Sequence, residues 1–214
     1  LVDEGDAFNE ILHNKTINKL KSKNIFAKVL SKVTDGTKPN QKIIDIEVEE
    51  KATGEISAGA GVGTTGGSIA FSVKENNYLG KGIKLDSTIQ LSTDTVRGVF
   101  AVTNPNFNYS DRALRTSLES TVTDKLTANG YKNTKTGLAF STNFEQYKDF
   151  YISPEISAYF ETVETNSTAS EALKKQKGDF FDTNFNYALN YDLRNRSYRP
   201  TDGQKTIFYQ ELPL

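Results

Sequence analysis

The spacing of apolar residues changes character near residue 53. Before it, two periods are mixed. Phe8, Ile11, Leu12, Lys15, Ile17, Lys19 and Leu20 follow helical spacing and predict an amphipathic helix ending near Lys23-Asn24. His13 falls on the polar or boundary part of that helix and is expected at the solvated surface. Ile25 to Leu30 predicts a short strand, and Asp35-Gly36 with Pro39-Asn40 a turn. Ile44, Ile46 and Val48 alternate with Asp45, Glu47 and Glu49, which predicts a return strand over Lys42 to Glu50. A helix and two strands are about half of a small α+β layer, and its other half is expected upstream.

Beyond Gly54 only a period of two remains. Ile69, Phe71 and Val73 alternate with Ala70, Ser72 and Lys74. Ile83, Leu85, Ile89 and Leu91 alternate with Lys84, Asp86, Thr88 and Gln90. Similar alternation continues around Leu118, Phe140, Ile156 and Leu189, against Glu119, Ser141, Glu155 and Asn190. The pattern predicts about eight antiparallel strands of roughly ten residues, the length a tilted strand needs to cross a bilayer. A soluble sandwich alternates too. The aromatics at strand ends (Tyr78, Phe107, Tyr109, Tyr147, Phe150 and Tyr198) favour a membrane barrel, where they form an interfacial girdle. In that barrel Ile69, Phe71, Val73, Ile83, Leu85, Ile89 and Leu91 face lipid, and Lys84, Asp86, Thr88 and Gln90 face the lumen. Connections alternate short (Asn76 to Gly82, Asn104 to Asp111, Gln146 to Asp149, Asn195 to Gly203) and long (Asp124 to Thr134, Thr162 to Gly178). Short turns on one side and long loops on the other suit the same architecture.

One strand departs from the pattern. In Ile56-Ser57-Ala58-Gly59-Ala60-Gly61-Val62-Gly63 three glycines share a face, and small residues fill most of the rest. Glycine inside a strand costs backbone entropy and packs nothing. The stretch predicts a weak first strand, held mainly by backbone hydrogen bonds, that is able to open. The alternative is that its glycines relieve crowding at a bend.

Composition narrows the function classes. The 214 residues suffice for one large or two small domains, and a net charge of -1 gives no reason to expect nucleic acid. There is no Cys, which excludes disulfides and thiol chemistry. There is no Met either, so a processed or internal piece is expected. No run of about 18 apolar residues predicts a transmembrane helix. The mean hydropathy of -0.54 would read as soluble, but a barrel strand is apolar on one face only.

Candidate chemistry is sparse. Gly61-Val62-Gly63-Thr64-Thr65-Gly66 matches a dinucleotide fingerprint, which requires a following helix where this sequence predicts a strand. Glu47, Glu49 and Glu50 read as the charged face of a strand rather than a metal site, and Lys174, Lys175 and Lys177 as a solvated loop. Asp192, Arg194, Arg196 and Asp202 read as a turn-stabilising set. No nucleophile and base come together, so neither an enzyme nor a cofactor or metal site is expected.

The order of several motifs carries a resemblance. The acidic strand Ile43 to Glu50 precedes the glycine strand Gly54 to Gly63. Then come Asn77-Tyr78-Leu79-Gly80-Lys81-Gly82, Val102-Thr103-Asn104-Pro105-Asn106-Phe107, and Asp192-Leu193-Arg194 leading to Pro200-Thr201-Asp202-Gly203. The chain resembles the bacterial Omp85 family. The resemblance implies a transmembrane antiparallel β-barrel over residues 53–214, its N-terminal half only, preceded over residues 1–52 by the end of a last periplasmic α+β POTRA domain. It implies an outer-membrane assembly factor that folds and inserts barrel proteins, with Ile56 to Gly63 as a lateral gate. The alternative within the superfamily is a polypeptide exporter of the two-partner-secretion or TamA-like kind. Implied partners are unfolded outer-membrane proteins, accessory assembly lipoproteins and outer-membrane lipid, with no cofactor. Implied motif residues are Asn77, Tyr78, Leu79, Gly80, Asn104, Pro105, Asp192, Arg194, Pro200, Asp202 and Gly203. The family's Arg-Gly-Phe loop motif has no counterpart among these residues.

Overall fold

A computed structural model describes residues 4–38, 41–63, 66–110, 112–195 and 199–214. Of the sequence expectations, Pro39-Asn40, Thr64-Thr65, Asp111 and Arg196 to Tyr198 lie outside the described residues. The chain falls into two compact units, Leu1–Gly54 and Glu55–Leu214.

In the first unit helix α1 spans Glu10–Ser22. It starts where the Asn9 side chain accepts the Leu12 N–H at 3.1 Å, with Glu10 in the first turn and Lys19 and Lys21 in the last. It ends at Asn24, which takes the left-handed conformation at φ 57°. Strands β1 (Phe26–Asp35) and β2 (Lys42–Glu50) form an antiparallel hairpin. One face pairs Val29 with Val48 and Val33 with Ile44, while the other pairs Lys28 with Glu49 and Lys32 with Asp45. Two acidic residues of β2, Asp45 and Glu49, therefore meet lysines across the hairpin, while Glu47 lies opposite Leu30 and Glu50 opposite Phe26.

The helix packs differently from the sequence expectation. His13 is buried, 8% exposed, with Nε2 3.1 Å from Ser31 Oγ and its ring 6.0 Å from that of Phe8. The buried spacing is His13, Ile17 and half-buried Leu20, whereas Ile11 is 79% exposed. The expected stripe counted apolar side chains. The imidazole, an apolar ring with one satisfied polar edge, fills a core position instead.

The second unit is a single antiparallel sheet of nine strands in sequence order, one more than about eight. The strands are β3 (Gly54–Gly63), β4 (Gly66–Tyr78), β5 (Ile83–Ser92), β6 (Thr95–Asn104) and β7 (Ala113–Lys125). β8 (Tyr131–Tyr147), β9 (Phe150–Thr165), β10 (Gly178–Asp192) and β11 (Lys205–Pro213) complete it. β3 and β11 are its two edges, so the described strands form an open sheet rather than a closed barrel.

The alternation read from the sequence separates the two faces. Lys84 and Asp86 of β5 and Tyr209 of β11 line one concavity of about 550 Å³, so the sheet curls strongly. The concave face is polar. The convex face is apolar and bare: Phe71 is 51% exposed, Phe140 52% and Ile156 54%. No second layer of this unit's own described residues covers it. A soluble sandwich would bury those side chains against another sheet.

Connection length does not follow the expected asymmetry. The two-residue link 93–94 and the twelve residues 166–177 share one end of the sheet. The two-residue turn 148–149 and the twelve residues 193–204 share the other. Residues 166–177 also hold a short helix α2, Glu171–Lys175, N-capped by Ser170, where a plain loop was expected. Lys174 there pairs with Glu171 at 3.0 Å.

The candidate gate strand and the walls beside it

β3 contains every residue of the proposed gate: Ile56, Ser57, Ala58, Gly59, Ala60, Gly61, Val62 and Gly63. It has one neighbour, β4, and every residue in it is exposed. Ser57 Oγ lies 2.6 Å from Ser72 Oγ. Ser72 pairs with Thr88, on the concave parity of Lys84 and Asp86. Alternation then puts Gly59, Gly61 and Gly63 on the concave face and Ile56, Ala58, Ala60 and Val62 on the convex one. Ile56 is 83% and Val62 93% exposed. No helix follows the glycines: β4 begins at Gly66, which rules out the dinucleotide reading.

A Cβ built on Gly59 or Gly63 meets nothing within 4 Å, and one on Gly61 touches only Ser68 Oγ at 3.5 Å. None of the three has positive φ. Neither steric crowding nor backbone conformation within the described residues requires glycine there. This removes the crowded-bend alternative as far as these strands reach.

A contrasting glycine sits in the middle of the sheet. Gly137 of β8 pairs with Tyr159 of β9, and a Cβ on it would lie 2.3 Å from Tyr159 Cδ1 and 2.4 Å from the Ala158 carbonyl oxygen. The tyrosine ring lies over the glycine, and Lys135 Nζ sits 4.6 Å from the ring centroid. Two strands away the Arg97 guanidinium donates to Glu119 at 2.8 Å on the same face. Sequence reading missed this joint, because the pairing of positions 137 and 159 depends on register.

The family-motif residues sit at one end of the sheet and build turns. Asn77 accepts the Gly82 N–H at 2.7 Å, and its carbonyl accepts the Gly80 N–H at 2.9 Å. Tyr78, Leu79 and Gly80 form the tip, with Leu79 left-handed at φ 56°. Asn104 accepts the Asn106 N–H across Pro105 at 3.1 Å. Asp192 takes two hydrogen bonds from the Arg194 guanidinium, at 2.8 and 2.7 Å. That contact holds the Arg194 guanidinium even more firmly protonated than usual. Past Pro200, Asp202 accepts the Gly203 N–H at 2.8 Å, and a Cβ on Gly203 would collide with the Leu193 carbonyl at 2.1 Å. All of these contacts shape backbone; none sets up a nucleophile. Of the girdle aromatics, Tyr78, Phe107, Tyr109, Tyr147 and Phe150 gather at this same end, Tyr109 being 97% exposed, while Tyr198 lies outside the described residues.

Comparison with known proteins agrees with this geometry. The chain superposes on the crystal structure of BamA from Haemophilus ducreyi lacking POTRA domains 1-3 with a TM-score of 0.80 and 19% identity. The match covers 100% of this chain and 44% of that one, so the two share a fold over a part of the longer protein. The sequence model of the Omp85 superfamily domain matches residues 77–214, from the Asn77 turn to the end of the sheet. That match spans more than half of the chain, and with the curled, outward-apolar sheet behind it the chain belongs to the Omp85 superfamily.

Proposed function

We propose that the chain is part of an outer-membrane assembly factor that folds and inserts other barrel proteins, and that β3 is its lateral gate. The observation that carries this reading is the edge itself. β3 offers a row of backbone N–H and C=O groups, backed by glycines that nothing in the sheet requires. In lipid such groups cannot turn to water, so their pull toward a partner strand is strong. Strand addition at an open edge is a general way to bind an extended polypeptide. The apolar convex face supports a place in the bacterial outer membrane. The helix and hairpin of residues 1–52 support a last POTRA domain in the periplasm. On this reading the partners are unfolded outer-membrane proteins and accessory lipoproteins, with lipid around the barrel.

Strand parity says what closure demands. With nine antiparallel strands β3 and β11 run the same way. An all-antiparallel barrel closes only if an odd number of further strands lies between them, as in a barrel of about sixteen. The gate is then the seam between β3 and the closing strand.

The test uses the full-length protein in proteoliposomes with a chaperone-delivered barrel substrate. A disulfide locking β3 to the closing strand is expected to abolish insertion, with reductant restoring it. A proline at Ala58 or Ala60, whichever points its N–H across the seam, is expected to do the same. Insertion at the wild-type rate through a locked seam would refute the gate and favour the exporting alternative.

A further inference from the structure

The convex wall carries a cation that the gate does not use. Arg112 closes the turn between β6 and β7. Its carbonyl accepts the Phe107 N–H at 3.0 Å, and its own N–H donates to Ser110 Oγ at 3.4 Å. Register places Arg112 one step beyond the Ala113–Asn143 pair, opposite Phe144. Asn143 donates to Ser153, and both line the concavity, so Phe144 and Arg112 stand on the convex side. There the guanidinium carbon lies 5.1 Å from the centre of the Phe144 ring. The convex positions leading from it toward mid-sheet are uncharged, among them Leu114, Leu118, Leu138 and Phe140. A cation on a lipid face is costly at the bilayer midplane and cheap at the interface, and Arg112 ends the apolar stripe at the interface.

The carboxylates of this rim are turned elsewhere. Glu145 stands opposite Tyr151 on the concave parity, where it accepts the Asp149 N–H at 2.9 Å. Asp192 is engaged by Arg194 and Lys205. Among the described residues no carboxylate lies within ion-pair distance of Arg112, and no oxygen accepts from its guanidinium. The same turn presents Tyr109, 97% exposed, on a backbone where Asn108 and Tyr109 are both left-handed at φ 54° and 56°. That conformation is strained for a residue with a bulky side chain, and here it leaves an aromatic ring uncovered beside the girdle.

We infer that Arg112, backed by Phe144, binds the phosphate of an anionic phospholipid headgroup in the periplasmic leaflet. The guanidinium fork matches a phosphate bidentately, and the ring beside it supplies no oxygen that would compete for the N–H donors. The anion is a lipid's rather than a soluble phosphate, because the same face continues into bare apolar wall, with Phe140 52% exposed. Acyl chains cover such a wall, and a free anion gains nothing from it. A headgroup with its own cation, such as ethanolamine, competes with Arg112 for the phosphate, which favours phosphatidylglycerol. The site rests on the barrel reading, which sets this face against lipid, and not on the gate.

Photolabelling of the full-length protein in phosphatidylcholine nanodiscs tests it, with phosphatidylglycerol bearing a headgroup diazirine as probe. Adducts are expected on residues 104–112 and 144–150. Arg112→Gln should lower that labelling about fivefold, the weight of one basic residue at an anionic surface, and Arg112→Lys should restore part of it. A diacylglycerol probe with the same diazirine and no phosphate should label this region weakly and equally in all three proteins. Excess inorganic phosphate should leave the labelling unchanged; competition by it would assign the site to a soluble anion and overturn the lipid source. A second probe with its diazirine in the acyl chain reports the barrel itself. It should label β4 and β8 equally in wild type and variants, which shows that the variants are folded. Headgroup labelling undiminished in Arg112→Gln would overturn this site alone. No acyl-chain labelling at Phe71 and Phe140 would overturn the barrel reading and the site with it.

Discussion

Away from the first residue of each strand, two strands of the sheet put glycine on the concave face, and they do so for opposite reasons. In β8 the space above Gly137 is taken by the Tyr159 ring and the Ala158 carbonyl. In β3 the space above Gly59 and Gly63 is empty. The first glycine is a packing requirement inside a long, doubly paired strand. The others sit on an edge, weaken it, and gain nothing visible in return. The same residue thus marks a crowded contact in the middle of the sheet and a strand with open space around it. The other edge sharpens the difference. β11 pairs with β10 without a break from Asp192–Lys205 to Asn184–Pro213. Side chains add to that ladder, with Tyr187 on Gln210 and its ring 6.0 Å from Phe208.

The largest effect is expected at the filled glycine. Gly137→Ala forces either the Tyr159 ring or the β9 backbone to move, and the carbonyl cannot yield cheaply. Overpacking of this kind costs about 3 kcal/mol. Urea unfolding of the full-length protein in detergent would measure it. Adding Tyr159→Ala should recover part of the loss, because it removes one of the two clashing groups. No recovery would mean that the backbone contact alone sets the requirement.

How much of this was legible beforehand follows from what each feature depends on. The two faces of the sheet were readable from alternation, because a period of two is a local property. The weak first strand was readable because glycine carries its cost wherever it stands. The Gly137–Tyr159 joint depends on register between distant segments, which alternation does not specify. His13 was misplaced because a polar label hid an apolar ring. α2 did leave a local signal, Ser170 followed by Glu171, Leu173 and two lysines, which a capping search over residues 162–178 would have caught.

A middle-sized effect is expected at the turn between β4 and β5. Leu79 is held left-handed at φ 56° and is 72% exposed. A bulky residue pays about 1–2 kcal/mol in that region, and glycine pays nothing sterically. Leu79→Gly should therefore stabilise the detergent-solubilised protein by about 1 kcal/mol. A loss of stability in its place would show that the Leu79 side chain grips apolar surroundings at this end of the sheet.

The smallest change in stability is expected at the empty glycines, and it bears most directly on function. Gly59→Ala and Gly63→Ala place a methyl group where no described atom lies within 4 Å. Both positions are ordinary extended backbone, so alanine fits without strain. Removing glycine's freedom from the unfolded chain should then stabilise the β3–β4 pairing by about 0.5–1 kcal/mol per site. If β3 were a passive edge, function would be unchanged or improved by a firmer strand. If β3 must exchange partners, a firmer closed seam opens less often, and substrate insertion slows. Each kcal/mol stabilising the closed state reduces the open population about fivefold. The double alanine variant of the full-length protein should thus be more resistant to urea and slower at insertion in proteoliposomes. Measuring both on the same preparation separates the cases. Greater stability with undiminished insertion would leave the glycines without the role assigned to them. Lower stability would point instead to a close neighbour of Gly59 or Gly63 contributed by strands beyond this sheet, and would return the crowded-bend explanation.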